Sequence, residues 1–133
     1  MQFEFIVEGP PLSQQTRNRE RLRDWKAIVR QSAQSAWPID QHAVTDRVLL
    51  QITYFYTDIA LDADNIIKPI QDAIIGVVYQ DDSQITDLIV RKRNLAGPFQ
   101  IQTVTPALAA GLTRGNEFLH ILVTDAPNPE VLT

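Results

Sequence analysis

Residues 44–57 constrain the fold of this chain more than any other stretch. Val48, Leu50, Ile52, Tyr54 and Tyr56 alternate with Leu49, Gln51, Thr53 and Phe55, so both faces of the predicted strand are substantially apolar. A strand of that kind must be covered on both sides, which places it in the middle of a sheet. It also delivers the chain straight into its most unusual segment. Seven of the sixteen acidic residues lie between Asp58 and Asp87, with Lys68 the single base among them. Crowded carboxylates repel, so water or a bound divalent cation must offset them.

The acids fall into two knots, Asp62-Ala63-Asp64-Asn65 and Asp81-Asp82. Between them Ile66, Ile70, Ala73, Ile74 and Val77 recur at helical spacing, which predicts an amphipathic helix over 65–76. Asp64 or Asn65 is the expected N-cap, Pro69 is tolerable only near the first turn, and Gly76 suits the C-terminal stop. Asp64, Lys68 and Asp72 then share one helical face. Both knots lie at or beyond the helix ends, on loops, where catalytic groups are common. A calcium loop lacks its later glycine and glutamate here, and a glycosidase leaves most of the acids unexplained. A plain turn rich in Asp and Asn is the remaining alternative.

The segment Asp62-Ala63-Asp64-Asn65, Lys68, Asp72-Ala73, Gly76, Tyr79 and Asp81-Asp82-Ser83-Gln84-Ile85 resembles the RusA family of Holliday-junction resolvases, over about residues 61–93. The resemblance implies a small Mg²⁺-dependent homodimeric endonuclease that cuts four-way DNA junctions in recombination and repair. It implies Asp62, Asp64 and Asp82 as metal-binding carboxylates, Asp81 as an accessory acid and Lys68 as a catalytic residue. It also implies nicks ending in 5′-phosphate and 3′-hydroxyl. Oxygen ligands without Cys or paired His suit Mg²⁺, with Mn²⁺ as substitute. Two symmetric cuts call for a C2 homodimer. Two other readings stay open: a non-catalytic module that binds junctions, and a nuclease for flaps or forks.

The remaining chain predicts a strand over 2–8, a helix from Arg17 to Ala36, a strand over 84–94 and a last strand from Glu117 to Thr124. Phe99, Ile101 and Thr103 can extend a hairpin, and Pro106 to Leu112 a short helix. The expected fold is a single α+β domain over 1–125, order βαβαββ, with a mixed, largely antiparallel sheet and two main helices; a loose tail follows over 126–133. Arg19, Arg23, Lys26 and Arg30 fall within one helical arc and Arg91 and Arg93 on one strand face. Each group is either solvated or a contact for DNA phosphates. Trp25 and Tyr79 are expected in the core, His42 exposed, and His120 structural.

A net charge of −4 opposes nucleic-acid binding, but setting residues 58–87 aside leaves nine acids against eleven bases. The chain has no cysteine, so disulfides and thiolate metal sites are excluded. That fits a cytoplasmic setting. No apolar run is long enough to span a membrane and the first residues lack signal-peptide character.

Overall fold

Two neighbours cover the edges of the central strand. In the computed structural model, which describes residues 1–58 and 60–132, β2 (Val48–Tyr56) pairs with strands on both sides. The elements in order are β1 (Gln2–Glu8), α1 (Arg19–Ala36), β2, α2 (Ala63–Ala73), a 3₁₀ turn (Asp82–Gln84), β3 (Ile85–Asn94), α3 (Pro106–Arg114) and β4 (Phe118–Asp125). The sheet runs β1-β4-β2-β3. β2 is parallel to β3, with Ile52 opposite Val90, and antiparallel to β4, with Ile52 opposite Ile121. β4 is antiparallel to β1. The result is the α+β domain with a mixed, largely antiparallel sheet and two main helices that the sequence predicts, with a short third helix.

α3 is the short helix expected from Pro106 to Leu112, whereas at 99–103, where a hairpin could extend, no strand forms. β4 inserts between β1 and β2 and leaves β3 as an edge. Phe99 and Ile101 instead pack against Phe55, Leu108 and Phe118.

Strand alternation divides the side chains between two cores. Val48, Leu50, Ile52 and Tyr54 join Phe3, Phe5, Val7, Leu119, Ile121 and Val123 under α1 and α2. α1 contributes Leu22, Trp25, Val29 and Ala33, and α2 contributes Ile66, Ile70 and Ala73, each as its apolar stripe predicts. Phe55 and Phe118 point to the opposite face, where their rings stack at 4.6 Å between centroids and α3 closes over them.

α2 begins two residues earlier than expected. Its N-cap is Asp62 rather than Asp64 or Asn65, and the Asp62 side chain accepts no capping bond. The earlier start carries Pro69 into the helix interior. Proline has no N–H for the carbonyl four residues back, here that of Asn65. The loop after β1 supplies the missing donor: Gln14 N–H bonds to Asn65 C=O at 3.1 Å. Gly76 takes a φ of +83°, the left-handed geometry that turns the chain out of the helix.

Candidate active site

Three turns of α2 carry the face on which Asp64, Lys68 and Asp72 stand, and the 3₁₀ turn brings Asp82 up beside it. Lys68 Nζ lies 2.9 Å from Asp72 Oδ1 and 3.1 Å from Asp82 Oδ2. Lys26 Nζ, reaching across from α1, stands 3.7 Å from Asp72 Oδ2. The cluster is therefore an alternating chain of charges, Lys26, Asp72, Lys68 and Asp82. Hydrogen bonds to Asp72, then to Asp82, hold the Lys68 ammonium above its ordinary range.

The turn that presents Asp82 is fixed by its neighbours. Asp81 accepts from the backbone N–H and the hydroxyl of Ser83, and these bonds pull its carboxyl below the ordinary range. Gln84 Oε1 accepts from Gln80 N–H at 2.8 Å and Asp81 N–H at 3.0 Å. Its Nε2 donates to Val44 O at 2.9 Å and Asp46 O at 2.8 Å. One side chain thus ties the turn to the segment leading into β2. Tyr79 is fully buried, as expected, and its hydroxyl donates to Gln71 O at 2.7 Å. Burial, then the charges of Asp82 and Asp72, push that phenol above its usual range.

Asp62, Asp64 and Asp81 are exposed, while Asp82 and Asp72 are half-buried. Asp62, Asp64 and Asp82 offer hard oxygen donors, the type a divalent cation such as Mg²⁺ takes. In their present rotamers they do not converge: among the described residues no three carboxylates or histidines form a metal cluster. Asp82 faces Lys68 instead.

The basic residues separate. Arg30 donates to Ala73 O at 3.2 Å and Ile75 O at 2.7 Å, satisfying carbonyls at the end of α2. Arg19 donates to Gln14 O at 3.2 Å. Lys26 belongs to the acidic cluster, and Arg23 is exposed without a partner among the described residues. Arg91 and Arg93 share a face, but it is the face of the sheet away from α1 and α2. Arg91 donates to Thr53 Oγ1, and Arg93 to Lys92 O.

The sequence puts Asp72 on the face of Lys68 but assigns it no role, and it does not place Lys26 beside the acids. Asp72 had a signal, its position one turn beyond Lys68; Lys26 had none, because its proximity depends on how α1 crosses α2. Trp25 is buried and His42 exposed, as expected. His120 is buried, its Nε2 donating to Glu4 Oε2 at 2.6 Å.

The fold and the cluster define a small α+β protein whose clustered carboxylates and lysines stand on α1, α2 and the 3₁₀ turn that leads into β3. The family model of endodeoxyribonuclease RusA matches residues 11–101, more than half of the 133 residues. The chain belongs to that family of endodeoxyribonucleases. No curated protein matches it. Among the described residues no helix is long and apolar enough to cross a membrane.

Proposed function

We propose that this protein is a metal-dependent endonuclease that resolves Holliday junctions, or closely related branched DNA, by paired symmetric nicks. The observation that carries the reading is Lys68, held between Asp72 and Asp82 on the helix that begins at Asp62 and Asp64. Asp62, Asp64 and Asp82 would hold the cation, Mg²⁺ with Mn²⁺ as substitute, which supplies charge stabilisation at the scissile phosphate and a more acidic water. Asp62 spends no lone pair on capping α2, so its carboxylate is available.

Lys68 contributes a localised positive charge where negative charge develops on the phosphoryl oxygens. Two carboxylates hold it in the metal-free protein. Asp82 cannot serve a cation and keep Lys68 equally well, so Asp72 is the anchor that remains. Lys26 limits the repulsion that Asp72 would otherwise add to an anionic substrate. Asp81, engaged with Ser83, acts as the accessory acid that shapes the turn. Phosphate contacts come from exposed Arg23 on one side of the sheet and Arg91 and Arg93 on the other. Arg19 and Arg30 would have to leave their backbone carbonyls to join them. Two cuts need two copies of residues 1–125, hence a homodimer acting in recombination and repair in the cytoplasm.

Incubation with a mobile four-way junction and with a linear duplex of matched sequence, with and without Mg²⁺, tests this reading. Nicking of the junction alone, dependent on the cation, is expected. Tight junction binding without cleavage refutes the enzyme and leaves a binding module; equal cleavage of flaps or forks moves the substrate.

A further inference from the structure

Opposite the acid–lysine cluster, the other face of the sheet holds a cavity of about 760 Å³. Its floor is formed by all four strands, and its wall is the segment 99–105. The family match ends inside that wall, at residue 101. Two guanidinium groups, Arg91 and Arg93, line it. Arg91 is braced by buried Thr53, whose Oγ1 accepts from Nε at 3.3 Å and Nη2 at 3.1 Å. Arg93 bonds only to a backbone carbonyl at 2.9 Å. Neither is paired with a carboxylate among the described residues.

Among the described residues Glu4 is the one acid lining the cavity, and its Oε2 is already engaged by His120 at 2.6 Å and by Thr105 Oγ1 at 2.9 Å. The lining thus holds two guanidinium charges against one occupied carboxylate. A guanidinium with only neutral acceptors has donors to spare, and paired guanidinium groups match the oxygens of a phosphate. Beside them stand Phe99, half-buried with its ring tilted on Phe55 at 5.6 Å, and Gln51 and Gln100, whose amides can both donate and accept. Anion donors, an aromatic ring and amides in one cavity are the elements that recognise phosphate and base together.

We propose that this cavity binds a nucleotide, with its phosphate on Arg91 and Arg93 and its base against Phe99. The nucleotide can be free or part of a DNA strand, and the chemistry is the same. The site lies apart from the carboxylates and Lys68, so its occupation does not require cleavage.

The chain's two histidines make the test direct, because His120 lines the cavity and exposed His42 does not. Ring proton NMR signals of both are followed with a chelator present, during titration with inorganic phosphate, 5′-deoxyadenosine monophosphate and a short single-stranded oligodeoxyadenylate. The nucleotide should move the His120 signals saturably, leave those of His42 in place, and bind about tenfold or more tighter than inorganic phosphate. Arg91→Gln with Arg93→Gln should weaken it by about tenfold or more. Arg93→Gln alone, at an exposed position, gives the same test if the double variant does not fold. Competition by the oligonucleotide assigns the site to a DNA strand; its absence assigns it to free nucleotide, and either upholds the proposal. Unmoved His120 signals, or phosphate binding as tightly as the nucleotide, overturn it. The proposed site rests on the phosphate contacts proposed above for Arg91 and Arg93: failure here removes those contacts but leaves cation-dependent nicking by the acid–lysine cluster standing, and loss of cleavage leaves this site untouched.

Discussion

Replacing Asp72 by Asn separates stability from catalysis in this cluster. The pair that it breaks is exposed to solvent, with side-chain exposures of 48% for Lys68 and 28% for Asp72. Its i,i+4 order, base before acid, is the less favourable one. A solvated pair of this kind contributes about 0.3–0.5 kcal/mol, and Lys26 at 3.7 Å adds little more. For a chain of this size that lowers the Tm by about 2 °C. The effect on cleavage should be far larger. With Asp72 neutral, Lys68 keeps only Asp82, a residue that the proposed chemistry needs elsewhere. Loss of a partner that orients a reacting group commonly costs about 10–100-fold. Single-turnover cleavage of saturating junction should fall by that factor. Affinity should stay level or tighten slightly, since one negative charge leaves a surface that meets phosphates. The decisive measurement is a double-mutant cycle. If Asp72 acts through Lys68, Asp72→Asn should change the rate by less than about twofold once Lys68 is Ala. A full further loss in that background would refute the positioning argument, as would a wild-type rate in Asp72→Asn alone.

Further outcomes follow from single contacts. Asp82→Asn should abolish cleavage while leaving the melting temperature within a few degrees of wild type, because its one ion pair is solvent-exposed; near wild-type nicking removes it from the site. Gln84→Ala removes four hydrogen bonds that moor the 3₁₀ turn, and should cost about 1–3 kcal/mol in denaturant melts while slowing cleavage through the displaced Asp82. Arg30→Gln should lower stability by about 1–2 kcal/mol and leave the salt dependence of junction binding unchanged, since its donors serve Ala73 and Ile75. Gly111→Ala places a Cβ 2.4 Å from Phe118 Cε2, so overpacking of α3 should cost about 1–3 kcal/mol without loss of cleavage below the melting transition.

The parts legible in the sequence are those set by local pattern. Two-sided apolar alternation identified β2 as central, and helical spacing identified the faces of α1 and α2 that Trp25, Val29, Ile66 and Ile70 bury. Alternation also placed Arg91 and Arg93 on one side of β3. What stayed hidden depends on long-range pairing. The insertion of β4 between β1 and β2 leaves no local trace. Periodicity puts Arg19 and Arg30 in one arc, yet it cannot say that each guanidinium turns to a carbonyl of another segment. At the acids the sequence placed Asp64, Lys68 and Asp72 on one helical face. It did not indicate that Asp72, rather than Asp62 or Asp64, takes the ammonium.

Pro69 has one more consequence. By leaving the Asn65 carbonyl without an intrahelical donor, it opens the backbone of α2 to the loop after β1, and Gln14 completes the ladder from outside. A loop amide has thereby become, in effect, a rung of the helix that carries Lys68. Amide hydrogen exchange should see this: Gln14 N–H should exchange with the slow amides of α2, not with its loop neighbours, and should quicken whenever that helix opens. Putting a proline at position 14 as well would leave the Asn65 oxygen with no backbone donor from either side. The two sites therefore constrain one another across fifty residues of chain, and a change at either is felt where the chemistry is proposed.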